Sequence, residues 1–407
     1  MNNQEKTSFW KKMAVIGPAA ILVSSSMGPG TIASCIMGGS HLGYKILWMV
    51  AASGFLGAVV SLVGGRVYAV TGKAGFEIVR DYTHKYFAYP FFAWMIFAVY
   101  YVIAIEGNLL AHTSSLMVPQ IKPYIETIAI PVIVVIIALI FTFGFKRVVF
   151  LCAIMTSSMA ILFLINIFSV NVSWSGMAKG LIPAVPLDKT GLMAFGGILG
   201  GSAGGVVAVG YSYLVKNKGW NRPEFIKRMT LDQVFFYGIL FGIFSIGIYV
   251  SGAAVLYTRG IEVTSAIDAA KALEPLVGPF SKWIFLVGLF MSIFTTIGAL
   301  ATMLCYFLAD MVGISPDLDD TRFKLILFIS ILVAILGPFL SGLPAMQYMV
   351  YAMVILLLAG PLIIGIYLYV ANSNQIMGNY TNSWVFNLIL FIALVLNCIG
   401  GVAAFIK

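Results

Sequence analysis

The sequence predicts an all-α polytopic membrane protein that crosses the bilayer about eleven times. Three observations carry this. Hydrophobic residues fill 61% of the 407 positions and charged residues 10%, where an average soluble domain has roughly 25% charged. Mean hydropathy is +1.00, more apolar surface than a soluble core can absorb. Apolar runs of about twenty residues, the length that crosses the hydrocarbon layer, recur along the chain, and two of them are interrupted by glycine near their centres.

In chain order the runs and their punctuation predict helices over 14–39, 44–70, 89–117, 124–144, 148–171 and 191–215, then 231–257, 281–311, 323–341, 345–371 and 384–405. Together they form one membrane transport domain, 1–407, with a first five-helix repeat over 14–171, a second over 191–371 and an extra helix over 384–405. With the N-terminus inside, 16 of the 24 Lys and Arg fall on cytoplasmic segments and 8 outside. The positive-inside rule thus puts the N-terminus in the cytoplasm and the C-terminus beyond the cell membrane. The same distribution accounts for the net charge of +9 without a nucleic-acid partner, because the basic residues orient helices and meet anionic lipid. Cys35, Cys152, Cys305 and Cys398 all lie in apolar runs without the close C-x-x-C spacing of a zinc site and read as small core residues. No cleavable signal peptide is apparent, so the first helix is expected to stay.

The first helix contains Ser26-Met27-Gly28-Pro29-Gly30-Thr31, and the sixth contains Gly200-Gly201-Ser202-Ala203-Gly204-Gly205. A Gly-Pro-Gly inside an apolar run breaks the hydrogen-bond ladder, and in lipid the freed groups need protein or a watery cavity. Shifted by 177 residues, Ile21, Leu22, Ser25 and Gly28 coincide with Ile198, Leu199, Ser202 and Gly205. Broken helices at corresponding places are the pattern of two inverted repeats with a site between them. Ser26, Gly28, Gly30, Thr31, Ser202, Gly204 and Gly205 are the candidate substrate-binding residues. The competing explanation, close helix packing through small residues, suits Gly64, Gly65 and Gly242 better, since Pro29 also removes a donor.

Gly17-Pro18-Ala19, Pro29-Gly30, Gly43-Tyr44-Lys45 with Leu47-Trp48, and Thr71-Gly72-Lys73 resemble the Nramp family of divalent-metal transporters. Gly197-Ile198-Leu199-Gly200, Ser212 and Leu214-Val215 extend the resemblance into the sixth helix. It implies a LeuT-like five-plus-five fold and proton-linked import of manganese or ferrous iron. At the metal ligands the sequence departs from the family. The Asp-Pro-Gly-Asn of the first helix is here Gly28-Pro29-Gly30-Thr31, and the Met-Pro-His of the sixth is Gly204-Gly205-Val206. A divalent ion in mid-membrane needs ligands that replace its hydration shell, usually with carboxylate among them. The expectation is therefore a substrate site diverged from transition metals, suited to a small polar or zwitterionic solute or a weakly bound ion. The half-helix ends at each break would supply poles of both signs. The alternative is a manganese-, iron- or magnesium-type metal transporter with a remodelled site. A second, of another class, is a non-transporting solute sensor or channel-like protein.

Glu106 is the one acid placed deep in a span, where an isolated carboxylate must face a cavity or carry a proton. It roughly aligns with an acidic residue of the Nramp proton route and is the candidate coupling residue. Asp232 and Asp310 fall near inner helix ends, as solvated or gate ion-pair residues. Tyr211-Ser212-Tyr213 reads equally as vestibule lining or interfacial belt, and His41, His84 and His112 are scattered. Thr295 and Thr296 could hold a monovalent cation, although back-bonding to the helix is commoner. No cofactor, nucleotide motif or paired nucleophile and base is apparent, so neither ATP drive nor an enzyme is indicated. The expected partners are a small solute or ion and the lipid bilayer.

Overall fold

The computed structural model describes residues 17–144, 146–314, 320–340 and 342–405. Among them nine helices are long and apolar enough to cross a membrane, and the bent pair Pro18–Ser26 and Pro29–Leu42 makes a tenth. The remaining predicted position, the fifth, is held by helix Lys146–Asn166, of which Ser157–Asn166 is the described apolar part. Residues 14–16 of the predicted first span, and Lys6, Lys11, Lys12 and Lys407, lie outside the described residues.

Burial sorts the spans into a centre and a rim. The sixth, Lys189–Lys218, is 94% buried over its apolar window and the second, Leu47–Thr71, 78%. The fourth, ninth and eleventh reach only 28%, 33% and 39%. Their exposed Ile136, Ile329 and Phe391 belong to a lipid-facing perimeter, as an apolar solvent allows. Cys35 and Cys305 are buried as expected, whereas Cys398 is exposed on the eleventh span, where lipid rather than protein receives it. The side chain of Cys152 lies outside the described residues.

The first span stops at Ser26 and restarts at Pro29 with a 54° change of axis. Pro29 lacks the N–H that would continue the ladder and pushes Gly28 into an extended conformation, φ −79° and ψ −178°. Any residue could adopt those angles. The glycine is required instead by packing, because a Cβ there would lie 2.8 Å from Thr296 Cγ2. The sixth span is interrupted over Ala203–Gly205 between Lys189–Ser202 and Val206–Lys218, with a smaller bend.

The seventh span alternates registers: α over Ile226–Gln233, π over Val234–Phe241, α over Gly242–Ser251 and π over Gly252–Tyr257. The ninth tightens from α, Thr321–Leu332, to 3-10 over Val333–Phe339. There Gly107 and Gly337 bring the third and ninth spans into backbone contact; a Cβ on Gly337 would lie 2.2 Å from Ala104 O. Asn108 Nδ2 donates to Gly337 O at 3.1 Å and Leu340 O at 2.9 Å, satisfying the carbonyls that this tightening leaves over.

Candidate functional site: a cavity at the helix breaks

The two interruptions meet at the centre of the bundle. Between them lies a cavity of about 40 Å³. Its polar or small lining is Ser25, Ser26, Gly28, Gly30 and Thr31 from the first span, Gly200 and Gly201 from the sixth, Glu106 from the third and Thr296 from the eighth. Met303 and Met353 add two thioethers, and Leu22, Val206, Val207, Leu300 and Leu356 complete the wall.

Five predicted site residues, Ser26, Gly28, Gly30, Thr31 and Glu106, therefore share one cavity. Ser202, Gly204 and Gly205 stand behind its wall. The Ser202 hydroxyl donates back to Ile198 O at 2.6 Å, and Gly205 sits where a Cβ would be 2.9 Å from Gly360 O. Gly200 and Gly201 take their place because the interruption falls one turn later than the glycine run begins. Met353 and Met303 had no sequence signal, being two of 19 methionines in apolar runs.

The carbonyls freed by the breaks are held by protein groups. Thr31 Oγ1 donates to Ser26 O at 2.6 Å and Ser292 Oγ to Met27 O at 3.4 Å. Tyr237 Oη donates to Ser202 O at 2.7 Å, and Asn397 Nδ2 to Ala203 O at 3.2 Å. These bonds answer the cost of unmatched backbone in lipid.

They also set the chemistry of the lining. The Ser25 hydroxyl donates to Leu22 O, Thr31 to Ser26 O and Thr296 to Ser292 O. Each hydroxyl hydrogen is thus committed to a carbonyl, and what these oxygens offer the cavity is lone pairs. Glu106 is 1% exposed and its Oε2 has no hydrogen-bond partner in the structure. The side-chain polar lining is acceptor-rich: hydroxyl oxygens, two thioether sulfurs and one buried carboxyl. Among the described residues no three His, Cys, Asp or Glu converge as a metal cluster.

Both faces around the cavity carry latches. At one end of the bundle Asp232 accepts from Ala19 N at 2.9 Å and from Tyr211 Oη at 3.4 Å. Its carboxylate thereby caps the first half-helix, and it fits only because residue 17 is glycine. Asp232 is thus buried and hydrogen-bonded rather than solvated. Tyr213 donates to Asp310. Ser212 Oγ and Tyr213 Oη also accept from Gly75 N at 3.1 Å and Phe76 N at 3.0 Å, docking the short helix Gly75–Tyr82 on the sixth span. That accounts for Tyr211-Ser212-Tyr213 as buried, hydrogen-bonded residues, not an interfacial belt.

At the opposite end His41 Nε2 meets Asp188 Oδ2 at 2.6 Å, tying the far ends of both broken spans. Burial pushes the Asp188 carboxyl up, but the Gly191 amide and His41 more than offset it, leaving it below the usual carboxylate range.

The family model described as "Natural resistance-associated macrophage protein-like" matches residues 19–406. A divalent metal cation transporter MntH of Vibrio campbellii is 26% identical over 387 residues, covering 92% of this chain and 88% of the relative. The MntH of a Nostoc species is 26% identical over 280 residues, 67% of this chain, and there the match spans 63% of the relative. Among solved structures, the manganese transporter of Eremococcus coleocola superposes with a TM-score of 0.76 at 20% identity, covering 98% of this chain and 88% of that one. The fold likeness reaches Mhp1, a nucleobase-cation-symport-1 family transporter, with a TM-score of 0.58 at 16% identity over 96% of this chain and 90% of that one. With the family's pattern running from the first half-helix to the last span, and a LeuT-like all-α architecture around broken helices one and six, this chain belongs to the Nramp family.

Proposed function

We propose that this protein is a secondary-active transporter of the cell membrane that carries a divalent metal ion through the cavity at the helix breaks. The observation that carries the reading is the cavity's size and lining together. A volume of about 40 Å³ holds an ion with a water or two, since one water needs roughly 10–15 Å³ on this measure. The space suits an ion better than an amino-acid-sized zwitterion, and the committed hydroxyl hydrogens offer nothing to a carboxylate. The relatives named as divalent metal cation transporters support the same cargo class. A remodelled metal site thus accounts for the geometry better than the diverged solute site expected from the lost ligands.

In this reading the cargo is held by Glu106, by the lone pairs of Ser25, Ser26, Thr31 and Thr296, and by the thioethers of Met303 and Met353. That mixed oxygen and sulfur set favours a borderline transition-metal ion over magnesium or calcium, which prefer all-oxygen shells. Glu106, buried without a partner, needs a proton or a cation beside it, so exchange of the two at this carboxyl is the proposed coupling step. The N-terminus is proposed to be cytoplasmic and the C-terminus extracytoplasmic, with repeats over 14–171 and 191–371 hinged about the site.

The test is uptake into proteoliposomes of manganese, with magnesium, calcium and a panel of amino acids as competitors. Manganese should be accumulated and displaced weakly by magnesium, and Glu106→Gln should lower uptake at least about tenfold. Saturable uptake of an amino acid with no effect of metals would overturn the proposal. Metal binding that no gradient converts into accumulation would replace the transporter by a sensor.

A further inference from the structure

The side chain of Tyr237 is fully buried in the seventh span and its hydroxyl touches both broken helices. It lies 2.7 Å from Ser202 O and 2.8 Å from Ser26 Oγ. A phenol has one hydrogen and a carbonyl can only accept, so the tyrosine donates to Ser202 O and receives the hydrogen of Ser26. The result is a directed chain, Ser26 to Tyr237 to Ser202, running from the first break to the sixth through a third element. Two neighbours are arranged around it. Gly57 of the second span leaves the room: a Cβ there would come 2.3 Å from Tyr237 Cε1 and 2.5 Å from Ser202 O. The π segment Val234–Phe241, a register that often marks functional sites, contains Tyr237.

We infer that Tyr237 is a positioning residue that couples the two broken helices, so that the first cannot leave its place without releasing the sixth. It does not line the cavity and holds no cargo. Its hydroxyl makes the two breaks one moving unit rather than two independent hinges. The inference rests on the transporter reading but not on the identity of the cargo.

Tyr237→Phe keeps the ring and removes the joint. Amide hydrogen exchange should rise about tenfold at both 24–31 and 200–207, with helix Gly75–Tyr82 unchanged as the internal control. Manganese binding by calorimetry should stay within about threefold while uptake falls at least about tenfold, a split that a general loss of folding does not produce. Adding Ser26→Ala to Tyr237→Phe should raise exchange no further, because both break the same chain. Faster exchange at one break alone, additive effects in the double variant, or unchanged uptake would each overturn the coupling. Were the unmodified protein to neither bind nor accumulate manganese, the cargo assignment would fail, and the exchange arms would still decide for or against the joint.

Discussion

Gly30 faces the Met353 thioether across the cavity so closely that a Cβ would lie 2.5 Å from Sδ. The obstructing atom belongs to a flexible side chain, which can yield, but in yielding it moves within a space of about 40 Å³. Gly30→Ala is therefore expected to lower metal uptake at least about tenfold while the melting temperature moves by only a few degrees. Gly30→Ala with Met353→Ala should recover part of the uptake, and a proteoliposome assay of the three variants checks both. Gly204 does not itself line the cavity and a Cβ there would lie 3.3 Å from Gly200 O, so Gly204→Ala should change uptake less than about twofold. The contrast marks the limit of what residues reveal alone. That glycines cluster at two breaks was legible, because a broken ladder in lipid demands a compensating environment. Which glycines face the cavity was not, since Gly200 and Gly205 look alike in a sequence and differ only in the helical turn they occupy. Glu106 was legible for the opposite reason: one acid among apolar neighbours stands out in mid-membrane, where it must face a cavity, carry a proton or be hydrogen-bonded.

At the scale of elements, the first half-helix Pro18–Ser26 is held at both ends by the seventh span, Asp232 at its amide end and Tyr237 at Ser26. Charge at a helix N-terminus and a direct hydrogen bond act together there. Asp232→Ala should free the capped end, and a cysteine in place of the exposed Ser24 should react with an impermeant reagent about fivefold faster. Asp232→Asn, which keeps the acceptor and loses the charge, should fall between. Unchanged labelling in both would show that Asp232 does not hold this end of the half-helix. The sequence placed Asp232 at a helix end but could not show what it caps, because Ala19 lies 213 positions away. Helix locations were readable from apolar length alone, whereas the π and 3-10 stretches were not, since one residue more or less per turn leaves the hydropathy pattern unchanged.

For the whole molecule, two contributions to stability lie outside the transport cycle. Arg66 reaches across to the last span, donating to Asn382 Oδ1 at 2.9 Å and Tyr380 O at 3.1 Å, with its guanidinium 4.8 Å from the Phe386 ring. Arg66→Met should cost about 2 kcal/mol in detergent unfolding, the scale of a charged hydrogen bond. The second contribution is acidic. The Arg80 side chain, helped by Lys73, holds Asp81 below the usual carboxylate range, and Asp188 is also net lowered. A carboxyl depressed in the folded state stabilises fully above its unfolded value, about 3.9, and loses that contribution as pH falls through the folded one. Asp81→Asn should therefore leave the melting temperature's dependence between about pH 5 and 8 unchanged and flatten it only below about pH 4. A variant that altered the slope near pH 6.5 would contradict this.

The π turns of the seventh span have a consequence for how this protein can change. Each holds one residue beyond what an α-helix of the same rise would need, so the natural lesion is a deletion rather than a substitution. Removing one residue between Val234 and Phe241 would restore a regular ladder and turn everything after it by about 100° relative to Asp232. Tyr249, whose hydroxyl accepts from Ile46 N at 3.4 Å, would swing off the far end of the first two spans while Asp232 kept its hold on the near end. The extra residue acts as a phase setting, keeping one rod in register with two opposite ends of the same bundle.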